Sequence, residues 1–254
     1  MFKLTTTHKK LLADTITPVS VYLKLRDKYP NSLLLESSDY HASDNSFSYI
    51  CCNPIASIKL QNEVITEVFP DGSKKSTPIS AEINIPEKIQ EFSQKFEAKN
   101  GKFKFINNGL FGYIAYDGVR YFENIEISKK EGDLQIPDIY YAVYQNIIAI
   151  NHFNNEAYIF DHSYNTESRI GEIEQQIKVR NFATYNFSRQ QAPTSNLTNE
   201  EFIENVKLGK KHCQRGDVFQ MVLSRRFSQK FKGDEFNVYR ALRSINPSPY
   251  LFFF

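Results

Sequence analysis

Side chains able to do chemistry are plentiful in this chain, but few are spaced to do it together. His41, His152, His162 and His212 share no pairwise spacing that sets two imidazoles on one face of a zinc-binding helix, and His8 lies in a polar terminal stretch. Cys51, Cys52 and Cys213 form neither an even disulfide framework nor a spaced metal set, and neighbours such as Cys51 and Cys52 point to opposite faces of a strand, so they read as structural thiols. The glycines between 109 and 118 lack phosphate-loop spacing, and no lysine with a following hydroxyl residue completes such a loop. Glu123 and Glu126 share a cation-facing side only in a helix, whereas FENIEIS reads equally well as extended chain. The cluster Lys207, Lys210, Lys211 and Arg215 can attract an anion, but a solvated helix face accounts for it. Arg215-Gly216-Asp217 spells an adhesion tripeptide and reads as a turn between a helix and a strand. Arg225 and Arg226 leave opposite sides of an extended segment, one toward a charged partner and the other toward solvent.

Composition narrows the classes further. A hydrophobic fraction of 41% over 254 residues is that of a folded globular chain, not a disordered one. With 31 Lys and Arg against 29 Asp and Glu, the formal charge of +2 supplies no field for nucleic acid or an anionic membrane, so neither is expected as a partner. The start, MFKLTTTHKKLLADT, has no apolar signal-peptide core, and no stretch reaches the roughly 20 apolar residues that span a bilayer. Together with the cysteine usage this leads to the expectation of a cytoplasmic protein in a reducing interior, where the triplets at Asn186 and Asn196 have no glycosylation meaning. The terminal run YLFFF, set off by Asn246-Pro247-Ser248-Pro249, begins a strand that needs a neighbour. The expectation is therefore a fragment, or a last strand that docks onto something supplied elsewhere.

The elements that must position these residues alternate short helices with many strands. Thr17 caps a helix that starts at Pro18 and stops before Pro30, and SLLLES follows as a strand. FSYICC, ASIKL and VITEVF read as three short strands, the last closed by the turn pair Asp71-Gly72. Pro86 opens a helix with Ile89, Phe92 and Phe96 on one side. GLFGYIAY at 109–116 suits a packed central strand whose glycines admit another backbone. YYAVYQNIIAINHF and EAYIFDH form a hairpin across Asn154-Asn155, and Ile170, Ile173 and Ile177 recur at helical spacing. Residues 181–197 read as a long connection. Thr198 with Glu201 is a capping-box pattern for a helix over 199–212, VFQMVLSRRF at 218–227 reads as a strand, and Asp234 caps a helix with Val238, Leu242 and Ile245 on one stripe.

Four ordered strings add a more specific signal. LLLES at 33–37, GLFGYIAYDGVRYFE at 109–123, GDVFQMVLSRRFS at 216–228 and YRALRSINPSPY at 239–250 resemble the large component of anthranilate synthase, over essentially the whole chain. The combination favours that family over the related aminodeoxychorismate and isochorismate synthases. The resemblance implies a lyase of tryptophan biosynthesis that adds ammonia to chorismate and eliminates pyruvate to give anthranilate. It also implies Mg²⁺ on the substrate carboxylate, a glutamine amidotransferase subunit that delivers ammonia, and feedback inhibition by L-tryptophan. In that family the metal-binding glutamates, the catalytic histidine and the main substrate-binding residues lie beyond NPSPY, so no catalytic or metal role is expected here and this chain is expected to be inactive alone.

What carries over by motif match is the inhibitor site: Glu36 and Ser37 in LLLES as one wall, and Asn246, Pro247, Ser248 and Tyr250 in NPSPY as another, with Leu251 packing beside them. A free amino acid offers an ammonium to a carboxylate or to carbonyls, and an indole wants an apolar wall with an acceptor for its N–H. Without the resemblance, Glu36 simply ends a strand and the prolines stop a helix. The expected fold is α+β, a layered domain in which antiparallel β-sheets form a sandwich with helices outside, incomplete at its C-terminus. Its expected organisation is a single domain over 1–254, with a regulatory and scaffold region at 1–180, a connection at 181–197 and the start of the chorismate-binding region at 198–254. Three alternatives stay open: an aminodeoxychorismate synthase-like subunit, a non-catalytic amino-acid-binding module, and a scaffold fragment that binds no small ligand.

Overall fold

A computed structural model describes residues 1–37, 46–80, 82–98, 102–125, 127 and 136–254. The polar amino terminus is a strand, β1 (Phe2–Leu12), because eight of its residues from Thr5 onward find an antiparallel partner in residues 156–163. Helix α1 (Pro18–Leu25) starts as its sequence dictates: the Thr17 side chain accepts from the backbone N–H of Ser20, and Pro18 occupies a position with no helical donor to lose. Strand β2 (Leu33–Ser37) follows.

FSYICC and ASIKL, expected as separate strands, belong to one fifteen-residue strand, β3 (Phe47–Gln61). The strand continues through Asn53, at φ 58°, and a bulge between Pro54 and Ala56 shifts its register against residues 143–144 without ending it. Strands β4 (Val64–Val68) and β5 (Lys74–Pro78) continue as a meander. The turn before β5 is tied by Asp71, whose Oδ1 accepts from the Ser73 N–H at 2.9 Å and the Ser73 hydroxyl at 2.6 Å. Helix α2 (Ile85–Ser93) is capped by Asn84 and buries Ile85 and Phe92. Phe96, expected on that helix, stands instead in β6 (Phe96–Ala98), which pairs parallel to β1.

Strand β7 (Phe111–Ile114) leads into a 3₁₀ turn at Tyr116–Tyr121. Among the described residues β7 pairs only with the next strand, so it is an edge and not the expected central strand. Its glycine nevertheless has the foreseen purpose: a Cβ on Gly112 would overlap the carbonyl of Tyr140. Strands β8 (Ile139–Asn151) and β9 (Glu156–Ser163) form the expected hairpin, with the Asn151 side chain accepting from the N–H groups of Phe153 and Asn154. Helix α3 (Ile170–Lys178) buries Ile173 and Ile177.

Contacts divide the chain into two compact units, Met1–Ala183 with Asn246–Phe254, and Thr184–Ile245. In the second unit, β10 (Phe187–Arg189), β11 (Thr194–Ser195), α4 (Asn199–Arg215), β12 (Phe227–Ser228), β13 (Phe231–Gly233) and α5 (Phe236–Ile245) follow in order. Helix α4 has its capping box with both bonds formed. The strand expected at 218–227 is extended chain with no ladder up to Arg226; only Phe227 and Ser228 find partners, in β11. A strand exists only through its neighbour, and among the described residues no strand pairs with 218–226, where Asn196 bonds Arg226 alone. The stripe of Val238 (48%), Leu242 (50%) and Ile245 (82%) on α5 is exposed, while Phe236 and Tyr239 are buried.

The chain's end, β14 (Tyr250–Phe253), returns to the first unit as the outermost strand of a ten-stranded sheet of order β14-β2-β3-β8-β9-β1-β6, with β4 and β7 attached at β3 and β8 and β5 attached at β4. All but one of its pairings are antiparallel. Helices α1 and α3 pack on one face. The other carries Leu33, Cys51, Ile147, Ala149 and Phe160 beneath Phe103, Phe105 and Phe111, and a second cluster forms around Phe92, Ile58, Leu60 and Ile139. The architecture is thus α+β, a multi-strand sheet in layers with peripheral helices.

Candidate functional site

Residues expected from two distant stretches of sequence meet on one pair of strands. In the antiparallel register of β2 and β14, Ser37 stands opposite Tyr250, Glu36 opposite Leu251, Leu35 opposite Phe252 and Leu34 opposite Phe253. Opposed residues share a face and successive ones alternate, so Leu35, Ser37, Tyr250 and Phe252 lie on one side while Leu34, Glu36, Leu251 and Phe253 lie on the other. Glu36 is 5% exposed beside fully buried Leu34, and Phe253 meets the ring of Tyr22 on α1 edge-on at 5.8 Å. On the opposite face Ser37 is half-buried and Tyr250 is 76% exposed. Asn246, Pro247 and Ser248 lie in the segment entering β14, the first two exposed and Ser248 half-buried. Ser37 ends its strand and Tyr250 begins the next, so the carboxylate, both hydroxyls and the turn gather at one end of the strand pair.

The remaining candidates are spoken for by local structure. His152 hydrogen-bonds Ser48 Oγ at 2.7 Å and His212 pairs with Asp217 at 2.8 Å, while His8 packs edge-on against Phe103. Cys51 and Cys52 are buried on opposite faces of β3, and burial pushes both thiols upward, away from the reactive thiolate. Cys213 is exposed. Arg215-Gly216-Asp217 is the end of α4, closed by Gly216 at φ 79°. Lys207 pairs with Glu204 on the solvated face of α4. The Arg225 side chain donates to Ser195 Oγ and Asn199 Oδ1, each at 2.7 Å, and its guanidinium stacks over Phe227. Glu123 is exposed, while Glu126 and His41 fall outside the described residues. Among the described residues no three His, Cys, Asp or Glu side chains gather as a metal site. The described residues therefore offer no ligand set that fits the implied Mg²⁺.

Three polar clusters escaped the sequence reading. Arg120 Nη2 donates to the hydroxyl of Tyr121 and to Asp138 Oδ2, and the Tyr121 hydroxyl donates to the same carboxylate oxygen, all at 2.8–2.9 Å. The DGVRY stretch thus serves to pin the 3₁₀ turn to the start of β8. Asp161, fully buried, accepts from Asn146 Nδ2 at 2.9 Å and from the Arg169 N–H at 2.7 Å, which ties the entry of α3 to the sheet. His162, 1% exposed, bonds the carbonyl of Asn107 through Nε2 at 2.7 Å and the Thr6 hydroxyl through Nδ1 at 3.0 Å. A carbonyl only accepts, so Nε2 carries the proton and Nδ1 accepts from Thr6. Burial lowers the His162 pKa and keeps the ring neutral. Only the paired aromatic and polar residues of β9 hinted at these clusters.

No helix among the described residues is long and apolar enough to cross a membrane. Residues 30–254 match the family model described as chorismate binding enzyme. The chain is 29% identical to anthranilate synthase component 1 of Aquifex aeolicus over 97% of its own length and 52% of that protein. It is 31% identical to anthranilate synthase component 1 of Lactococcus lactis over 96% of its length and 54% of the relative. Among solved structures, anthranilate synthase component I from Streptococcus pneumoniae superimposes with a TM-score of 0.56 at 22% identity, covering 94% of this chain and 52% of that one, a likeness of fold. The chain spans about half the length of the curated relatives it matches.

Proposed function

This chain belongs to the chorismate-binding enzyme family, and on that premise we propose that it is the amino-terminal part of the large subunit of an anthranilate synthase. The whole enzyme would join ammonia to chorismate and release pyruvate, leaving anthranilate for the synthesis of tryptophan in the cytoplasm. The match from residue 30 to residue 254 carries this reading. Supporting it are relatives that bear the anthranilate synthase name and align with nearly the whole chain. In this reading the ammonia comes from glutamine through an amidotransferase subunit, and the Mg²⁺ ligands and catalytic groups belong to sequence outside these 254 residues.

The part of the work assigned to this chain is regulation. L-tryptophan is the proposed ligand at the shared end of β2 and β14. Its ammonium needs oxygen acceptors, which Glu36 and the carbonyls of Asn246, Pro247 and Ser248 offer, and its indole needs a wall with one polar partner, which Tyr250 and Ser37 offer. The pairing of Ser37 with Tyr250 and of Glu36 with Leu251 supports this, since it joins the two motif walls in space.

Thermal unfolding with and without millimolar L-tryptophan, with L-phenylalanine as the control, tests the reading. A cooperative transition raised by tryptophan alone is the expected result, because a ligand selective for the native state stabilises it by mass action. A cooperative transition indifferent to tryptophan would overturn the regulatory site and leave a scaffold.

A further inference from the structure

The backbone holds β14 on the sheet by little. Its ladder to β2 runs only from Tyr250 to Phe253, it lies outermost, and Tyr250 and Phe252 are largely exposed. A strand paired along one side opens more readily than the sheet behind it. Two aromatic contacts add to the ladder, one on each face. Phe253 meets Tyr22 of α1 edge-on at 5.8 Å. Phe254, just past the strand, lies beside Phe252 at 5.6 Å on the opposite face and meets Tyr113 of β7 edge-on at 5.3 Å.

Tyr113 is well placed to hold that ring. It stands opposite Tyr140 in the register of β7 and β8, the two rings 6.2 Å apart, and Gly112 lets the backbone of β7 close onto the Tyr140 carbonyl. The 3₁₀ turn that follows β7 is tied to the start of β8 through Arg120, Tyr121 and Asp138. The ladder reaches β8 from β14 only by way of β2 and β3, whereas the Tyr113 ring joins β14 to the β7–β8 pair directly.

We propose that Tyr113 is a positioning residue for the inhibitor wall: its ring holds β14 in register, and the fraction of molecules with β14 in register sets how tightly the site binds. This rests on the L-tryptophan site proposed above, one wall of which is carried by Asn246 to Tyr250. A ligand that binds only the docked strand has its affinity reduced by the undocked fraction. Tyr113 touches β14 through Phe254, at the end of the strand away from Tyr250, so it acts on the site only through the strand.

Amide hydrogen exchange of the ligand-free chain reads the clamp. Tyr113→Leu should speed exchange in β2 and β14 about fivefold, the worth of one aromatic pair, while β9 keeps the parent's rate. Tyr113→Phe, which retains the ring, should behave as the parent. Phe254→Leu should open β14 as well, and the double variant should open it no further than Phe254→Leu alone, because the two substitutions remove one shared contact. Calorimetric titration with L-tryptophan reads the consequence: Tyr113→Leu should bind at least twofold more weakly, and Tyr113→Phe as the parent does. Unchanged exchange of β14 in Tyr113→Leu, a rise shared equally by β9, full additivity with Phe254→Leu, or parent affinity in Tyr113→Leu would each overturn the proposal. A parent chain indifferent to tryptophan would instead sink the inhibitor site and Tyr113's part in it, while exchange without ligand would still decide whether Tyr113 holds β14.

Discussion

At the scale of single residues, two side chains on the sheet carry predictions of opposite kinds. His162 is buried with both ring nitrogens engaged, and its pKa is lowered chiefly by desolvation. The unfolded chain therefore takes up a proton near the ordinary value of about 6.5 before the folded one does. Stability from this group is complete above that pH and is lost as the pH falls through it toward the lower folded value. Urea midpoints measured from about pH 7.5 down to about pH 5 should decline in the parent and decline less steeply in His162→Gln. Identical slopes would show that His162 does not govern the decline. Ser37 makes the complementary case. It is half-buried at the end of its strand and faces the exposed ring of Tyr250, so Ser37→Ala should leave the melting temperature of the free protein within a degree or two while abolishing its rise with L-tryptophan. An undiminished rise would remove Ser37 from the site.

Elements differ in how openly the sequence declared them, and the difference follows from where their stabilising partners sit. Helix α4 is written in four neighbouring residues, since Thr198 and Glu201 satisfy each other's backbone donors. Thr198→Ala should cost the helix about 1 kcal/mol, read as lost ellipticity at a given temperature. The β8–β9 hairpin is equally local, its turn tied by Asn151. Strand β7 was legible only in part: the small residue at Gly112 announced a close backbone, but not that the strand would be an edge. Gly112→Ala should destabilise by about 3 kcal/mol, because the obstacle is the Tyr140 carbonyl, which has no side-chain freedom with which to yield; a loss of unfolding free energy in urea of under about half a kcal/mol would contradict that geometry. What misled the reading was apolar pattern without a neighbour. VFQMVLSRRF has the composition of a strand and makes almost no ladder, and the Val238, Leu242 and Ile245 stripe has helical spacing and lies exposed. Pattern reports which side chains prefer burial, while partners decide whether they obtain it.

At the scale of the whole molecule, the decisive feature is a closure between a strand in the chain's first forty residues and one in its last ten. That β2 ends in Glu36 and Ser37 and that YLFF wants a neighbour are both visible in sequence; that each is the other's neighbour is a non-local fact which only the assembled sheet supplies. The closure also places every residue of the proposed inhibitor site in one compact unit, although the chain traverses Thr184–Ile245 between the two halves of that site. Ligand binding should accordingly be felt unevenly along the sequence. Amide hydrogen exchange followed with and without L-tryptophan should slow most in β2 and β14, where the ligand bridges strands whose ladder lies at the sheet edge, and change least in α4, whose backbone bonds are made within the second unit. Slowing confined to α4, or none in β14, would mean that the ligand does not act through the strand pair. Protection at the edge would instead link the state of β14 to the ligand through the register that sets Tyr250 opposite Ser37.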